Sequence, residues 1–318
     1  MLRPMFRIVP DDTRIQFMRG RVMGIAVSAI LSTISAIMFF YPGLHLGIDF
    51  SGGIIMEVRT PGPADFSAIR AALAEANIVT QGVQRFGDAS QVAIRLPTQP
   101  TEAATQQTVT KVRTALEKAV PGIRLMRTDA VGATVSSELF RDGMLALGIS
   151  LLMILVYIWF RFEWQFAVGA VVTLILDVTK AIGFLAVTRL EFDLVMVAAI
   201  LTVLGFSTND KVVVYDRMRE NLRKYKTMPL RQLIDLSINE TLNRTLGTSM
   251  TVFLAALPLA LFGGASIAHF AWMMLFGIIV GTSSSIFIAA PILLFLGENR
   301  LRRDTAAPTT PTEARTAP

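Results

Sequence analysis

The chain has no cysteine, and only two of its 318 residues are histidine. No disulfide framework and no thiol chemistry can be built from it. That absence leaves the compartment open, because a disulfide-free domain can sit on either side of a membrane. There is no clustered set of His, Asp and Glu to hold a metal, and no pairing of a nucleophile with a base. There is also no G-x-x-x-x-G-K-[ST] phosphate loop, so any ATP-driven step would belong to a partner. The sequence thus implies no cofactor, no metal and no enzymatic activity. Charge is scarce too, at 17% of residues, while 53% are hydrophobic.

What fills the chain instead is long apolar runs. A helix needs about 20 apolar residues to cross roughly 30 Å of hydrocarbon. Six runs qualify, at 22–41, 143–160, 165–187, 194–215, 246–264 and 267–296. The first is too long for a cleaved signal peptide and ends in Phe39-Phe40-Tyr41-Pro42 rather than a small-residue cleavage site, so it reads as an uncleaved span. The net charge of +6 would suit nucleic acid, but the basic residues sit beside the spans. Arg3, Arg7, Arg14, Arg19 and Arg21 precede the first span. Arg161 occupies a short turn, Arg217, Arg219, Arg223, Lys224, Lys226 and Arg231 a loop at 216–244, and Arg300, Arg302 and Arg303 the tail. By the positive-inside rule both termini and that loop are cytoplasmic. The expected organisation is a cytoplasmic segment 1–21, a first span 22–41, an external domain 42–137, a five-helix bundle 138–297 and a disordered cytoplasmic tail 298–318 rich in Thr, Ala and Pro. The membrane lipid is then a partner, and nucleic acid is not.

The stretch between the first two spans alternates strand and helix patterns. Residues 54–59, 82–87, 91–96 and 123–128 read as strands, with a hairpin turn at Gly87-Asp88. Asp65 caps a helix running to about Asn77, and Thr101 opens another that Pro121-Gly122 ends. The order β-α-β-β-α-β is the ferredoxin-like α+β pattern. The fold class expected is therefore a polytopic helical membrane protein of six spans with one ferredoxin-like periplasmic domain between the first and second. That domain reads as a binding or lever module rather than a catalytic one.

A charged side chain inside hydrocarbon costs at least about 2.5–3.5 kcal/mol and is a functional candidate by default. Asp177 and Lys180 lie one turn apart in the third span, so they can pair. Asp210 and Lys211 sit low in the fourth span, and Arg244 opens the fifth. A hairpin closing near Thr227, beside Met228-Pro229, returns Arg244 at about the depth of Asp210 and allows an ion pair. An acid, a fixed cation and a bistable packing are the parts of a proton-driven switch. The alternative is that Asp210 and Lys211 merely mark the cytoplasmic end of the span and snorkel to water. His45 and His269 fall at the outer ends of helices, and Pro258 and Pro291 are expected to kink theirs.

Four segments in order carry a family resemblance. They are Gly47-Ile48-Asp49-Phe50-Ser51-Gly52-Gly53, then Val131-Gly132 with Val135-Ser136-Ser137-Glu138-Leu139. The stretch from Gly205 through Asn209-Asp210 and Tyr215-Asp216-Arg217 to Asn221 follows, and Thr241-Leu242-Asn243-Arg244-Thr245-Leu246 leads on to Gly281-Thr282-Ser283-Ser284-Ser285. Over about residues 15–297 the chain resembles the SecD/SecF family of protein-export membrane proteins, and its single set of six spans resembles the SecF branch. The resemblance implies kinship with the proton-driven resistance-nodulation-division transporters and residence in the bacterial inner membrane. It implies pairing with SecD, association with the SecYEG channel and YajC, and proton-driven promotion of late translocation of unfolded secreted proteins. It assigns proton coupling to Asp210 and Arg244, with Asp177, Lys180 and Lys211 as auxiliary intramembrane charges. Gly47, Asp49, Gly52, Gly53, Asn209, Asp216 and Arg217 are family-motif positions. The chain departs from the family at Ala133, often Pro, at Leu176, often His, and at Lys180 and Lys211, often uncharged. An extra cation beside Asp177 or Asp210 would stabilise the ionised acid, and pairing of Lys180 with Asp177 is the expectation. A proton-coupled exporter half for small molecules, or a scaffold without proton chemistry, are the competing functions.

Overall fold

The computed structural model describes residue 10 and residues 13–296. The expected disordered tail, and Arg3, Arg7, Arg300, Arg302 and Arg303, lie outside the described residues. Six helices are long and apolar enough to cross a membrane. The first is α1 (Arg21–Phe40), preceded by a short 3-10 turn at Phe17–Arg19. A compact α/β unit follows. It comprises β1 (His45–Leu46), α2 (Ile48–Ser51), β2 (Gly53–Arg59), α3 (Phe66–Glu75), β3 (Gly82–Arg85), β4 (Gln91–Leu96), α4 (Glu102–Ala119) and β5 (Arg124–Val131). The chain then returns to the bundle with α5 (Ala133–Arg161), α6 (Trp164–Thr188), β6 (Glu191–Phe192), α7 (Leu194–Lys224), α8 (Leu230–Phe262) and α9 (Gly264–Ser284). A π-helical turn (Ser285–Ala289) leads into α10 (Ala290–Phe295).

The four-stranded sheet has the order β3-β4-β2-β5, with antiparallel neighbours throughout. Alternation along the strands sends Ile54, Met56, Val58, Val83, Val92, Ile94 and Leu96 to one face, where Ile69 and Leu73 of α3 and Val112 and Leu116 of α4 cover them. The helix starts are capped as their sequences require. The Asp65 carboxylate accepts hydrogen bonds from the Ser67 and Ala68 amides, and the Thr101 hydroxyl accepts one from Ala104. Hydrogen bonding from Ser67 and Ala68 also holds the Asp65 carboxyl below its usual range. Asn77, at φ 54°, stops α3 in the left-handed region that Asn tolerates.

The bundle differs from expectation in one respect that matters for function. The loop expected at 216–244 is helix for most of its length: α7 runs on to Lys224, α8 starts at Leu230, and only residues 225–229 connect them. The reason is packing. Met218 and Leu222 of α7 meet Leu230, Leu233, Ile234 and Ile238 of α8 in one buried cluster, while Asn221 donates to Ser237 at 3.0 Å. Both helices therefore continue beyond their apolar runs with amphipathic extensions. Likewise α5 begins at Ala133, ahead of the boundary expected at 138. Pro258 sits inside an unbroken α8, and Pro291 follows the π-helical turn, whose widened ladder absorbs the missing amide.

Two glycines at the start of β2 show what the entry to the α/β unit demands. Gly52 has φ +69° and Gly53 φ +121°. A Cβ on Gly53 would stand 2.7 Å from the Leu96 carbonyl oxygen, and one on Gly52 2.6 Å from Thr98 Oγ1. Gly53→Ala is expected to combine backbone strain of about 1–3 kcal/mol with a clash against a strand that cannot yield. Limited proteolysis of the full chain in detergent should show the α/β unit cut faster than wild type, with the bundle unaffected.

Candidate functional site

The centre of the bundle holds four buried ionisable side chains, Asp177 and Lys180 on α6 and Asp210 and Lys211 on α7, each 5% exposed or less. Burial at that level demands partners. Asp177 has them. Its Oδ2 accepts hydrogen bonds from Ser207 Oγ at 2.8 Å, from Lys211 Nζ at 2.9 Å and from Ser284 Oγ at 2.9 Å. Lys180 stands 3.6 Å from Oδ1, close enough for attraction but too far for a hydrogen bond. Lys211 also donates to Ser207 Oγ, one turn back on its own helix. The main cation on Asp177 is therefore Lys211, across the helix interface. Lys180, the partner that spacing within one helix suggests, comes second.

Close approach of α7 and α9 makes this cluster possible. A Cβ on Gly281 would lie 3.0 Å from Ser207 Cβ, so glycine lets α9 press against α7 and deliver Ser284 to Asp177. The next residue, Ser285, opens the π-helical turn and faces Asp210 together with Thr245 of α8. Asp210 Oδ2 and Thr245 Oγ1 are buried and make no hydrogen bond among the described residues. Asp210 makes no ion pair among them either; Lys211 acts on it only through space.

The ion pair that the spacing allows between Asp210 and Arg244 is not formed in this structure. Depth and face explain the difference. The α7–α8 hairpin does bring position 245 to the level of Asp210, as the spacing argument required. One residue along a helix is about 100° around it, so Thr245 turns inward and Arg244 lies exposed on the outer side of α8. Lys211 does not snorkel, but is 2% exposed in the interior.

The remaining motif positions divide between the two ends of the bundle. At the end remote from the α/β unit, Asp216 takes both oxygens to Arg161 of α5 at 2.9 and 2.7 Å, and Arg217 reaches Glu240 of α8 at 2.7 Å and Glu220 at 2.6 Å. Tyr215 is buried between Phe162 and Phe166 and donates to the Ala289 carbonyl at 3.2 Å. Asn209 is exposed. At the other end, Gly47 donates its amide to the Phe192 carbonyl at 2.9 Å, and Asp49 Oδ2 accepts from the Leu194 amide, the first of α7, at 3.2 Å. His45 pairs in β1 with Glu191 of β6 in parallel register, and His269 is half-buried in α9.

A family model described as protein export membrane protein SecD/SecF, C-terminal, matches residues 111–299, and the SecD/SecF GG motif matches residues 37–60. The chain belongs to the SecD/SecF family. It is 41% identical over 295 residues to a protein translocase subunit SecF of Rickettsia akari, covering 92% of this chain and 96% of the relative. It is 44% identical over 293 residues to a protein translocase subunit SecDF of Brucella abortus, covering 92% of this chain but 38% of that relative. The crystal structure of SecDF from Thermus thermophilus, described as a translocon-associated membrane protein, superposes with a TM-score of 0.82 at 29% identity, covering 92% of this chain and 40% of that one. The SecD/SecF assignment and the six apolar helices make the chain a multi-pass membrane protein.

Breaking one side of a buried ion pair strands the other, at a cost of about 3–5 kcal/mol. Lys211→Met should therefore lower the melting temperature of the detergent-solubilised protein well below that of wild type. Lys180→Leu should lower it less, given the longer distance. Combining Lys211→Met with Asp177→Asn should recover part of the loss, and strictly additive losses would show that the two side chains are not coupled.

Proposed function

We propose that the chain is the SecF-type subunit of the Sec translocase accessory complex, and that with SecD it uses the proton-motive force to promote late translocation of unfolded secreted proteins through SecYEG, with YajC as companion. It resides in the bacterial inner membrane with both termini cytoplasmic, which puts Arg161, Arg219, Arg223 and Lys224 on the cytoplasmic side as the positive-inside rule favours. The α/β unit is then a ferredoxin-like periplasmic domain, a reading supported by its β-α-β-β-α-β order and its β3-β4-β2-β5 sheet. The chain spans about 40% of the SecDF structure it resembles, so a SecD partner would supply the rest.

The observation that carries the energy-coupling reading is the unequal treatment of two buried acids. Asp177 has three donors on one oxygen, including a lysine. Asp210, equally deep, makes no ion pair among the described residues, and Lys211 acts on it only through space. A proton arriving in the bundle finds in Asp210 the acid that no lysine bridges, and Asp177 with Lys211 holds the neighbouring helices in register. A charge crossing the membrane field gains about 2.3 kcal/mol per 100 mV, enough to shift a two-state packing about fiftyfold. Arg244, one residue from Thr245, is the counter-charge of a second state, reached when its long side chain swings round α8 toward the ionised acid. No cofactor and no bound metal enters this scheme.

Pulse-chase export in cells depleted of their own SecF, complemented with this chain or its Asp210→Asn variant at matched membrane levels, tests the reading. The variant should accumulate precursor while still copurifying with SecD. Wild-type export by the variant would leave a scaffold without proton chemistry.

A further inference from the structure

The hairpin that carries the buried charges at its middle also touches the α/β unit at its tip. Asp177 and Lys180 lie on α6, and Ser207, Asp210 and Lys211 on α7. Between these helices β6 pairs in parallel with β1, His45 opposite Glu191 and Leu46 opposite Phe192. The Leu194 amide donates to Asp49 at 3.2 Å, and the Phe50 and Phe192 rings sit 5.3 Å apart. Phe50 belongs to the same buried cluster as Leu174 of α6 and Met196 and Ile200 of α7.

One residue extends this junction into the sheet itself. Arg95, in β4 at the heart of the sheet, is 7% exposed. Its guanidinium pairs with Glu191 of β6 and donates to the Leu46 carbonyl at 3.4 Å. A planar guanidinium can hold two acceptors in a fixed geometry, which a lysine cannot. Burial and the neighbouring Arg95 both hold the His45 imidazole below its usual range, so it stays neutral near pH 7 and does not compete for Glu191.

We propose that the α6–β6–α7 hairpin is the rod through which the buried charges move the α/β unit, and that Arg95 is the positioning residue that fixes the unit to the tip of that rod. From Leu194 to Asp210 the rod is roughly 24 Å long at 1.5 Å per residue. A small tilt or slide at the buried acids is delivered at the tip as displacement of β6, and through Arg95 and β1 as displacement of the whole sheet. This inference rests on the proton-coupling reading of Asp210.

The test uses the same export assay with Arg95→Glu, Glu191→Arg, the double swap, and Asp210→Asn alongside. Each single charge reversal is expected to slow precursor clearance at least about fivefold, and the swap to recover at least half of the wild-type rate. Labelling of Asp210 by dicyclohexylcarbodiimide, which reads the protonated acid, should stay at wild-type level in Arg95→Glu, because the rod is detached rather than the acid altered. A second measurement exploits the absence of native cysteine. Leu46→Cys with Phe192→Cys places a pair across the β1–β6 register, and export by this variant should be the same oxidised and reduced. Export that stops on oxidation and returns on reduction overturns the proposal, since the unit would then have to leave the tip. So does wild-type export by Arg95→Glu beside a defective Asp210→Asn, which removes the Arg95 link and leaves proton coupling intact. A silent Asp210→Asn removes the coupling reading and the rod with it.

Discussion

The packing of α6, α7 and α9 answers to the cost of holding the Asp177 carboxyl away from water. A buried carboxylate is tolerable only if it is paired and hydrogen-bonded. Here the partners come from three helices: Lys180 of its own helix by attraction, and Ser207 and Lys211 of α7 with Ser284 of α9 by hydrogen bonds to one oxygen. Meeting that demand brings α6, α7 and α9 together, explains the glycine at position 281, and leaves two cations and two acids in one small volume. Such an arrangement is poised: any change in charge at one member is felt by the others at low dielectric, with little water to screen it.

The sequence was most readable where local chemistry decides structure. Capping by Asp65 and Thr101, alternation in the strands and the turn at Gly87 placed the α/β unit almost element by element. Three of the six spans, the first, third and sixth, were visible as apolar runs nearly to their ends. The failures share a cause, which is that periodicity along one helix says nothing of the helix beside it. The extensions of α7 and α8 are amphipathic and look like a charged loop unless Leu222 and Leu233 are known to meet. Lys211 was legible as a buried charge, but its partner lies across an interface, 34 positions away. Spacing gave Arg244 a depth but no face, and that Thr245 rather than Arg244 turns inward is a difference of one residue that no count of spacing can detect. The Arg95–Glu191 pair joins segments that are neighbours only after the sheet has folded onto the bundle.

The two ends of the bundle are fastened by different means. Away from the α/β unit, Asp216–Arg161 and Arg217–Glu240 are partly exposed pairs, each contributing no more than about 1 kcal/mol, and the buried Tyr215 with its two phenylalanine neighbours holds the helices there. Beside the α/β unit the fastening is backbone pairing, glycines at positive φ and a buried arginine. One end tolerates adjustment and the other is built to keep its shape.

The π-helical turn at Ser285–Ala289 has a consequence for how the last span can vary. Such a turn is an α-helix with one residue inserted, and the extra residue rotates everything beyond it by about 100° relative to an unbroken helix. Residues before the turn are phased to Asp177, and those within and after it to Asp210 and Tyr215. The turn is thus a phase shift that lets a single helix address two sites, Asp177 of α6 and Asp210 of α7. Loss of one residue there would heal the hydrogen-bond ladder and leave a longer, more regular helix, yet it would turn one of the two sites out of view. In this span, regularity and function pull in opposite directions.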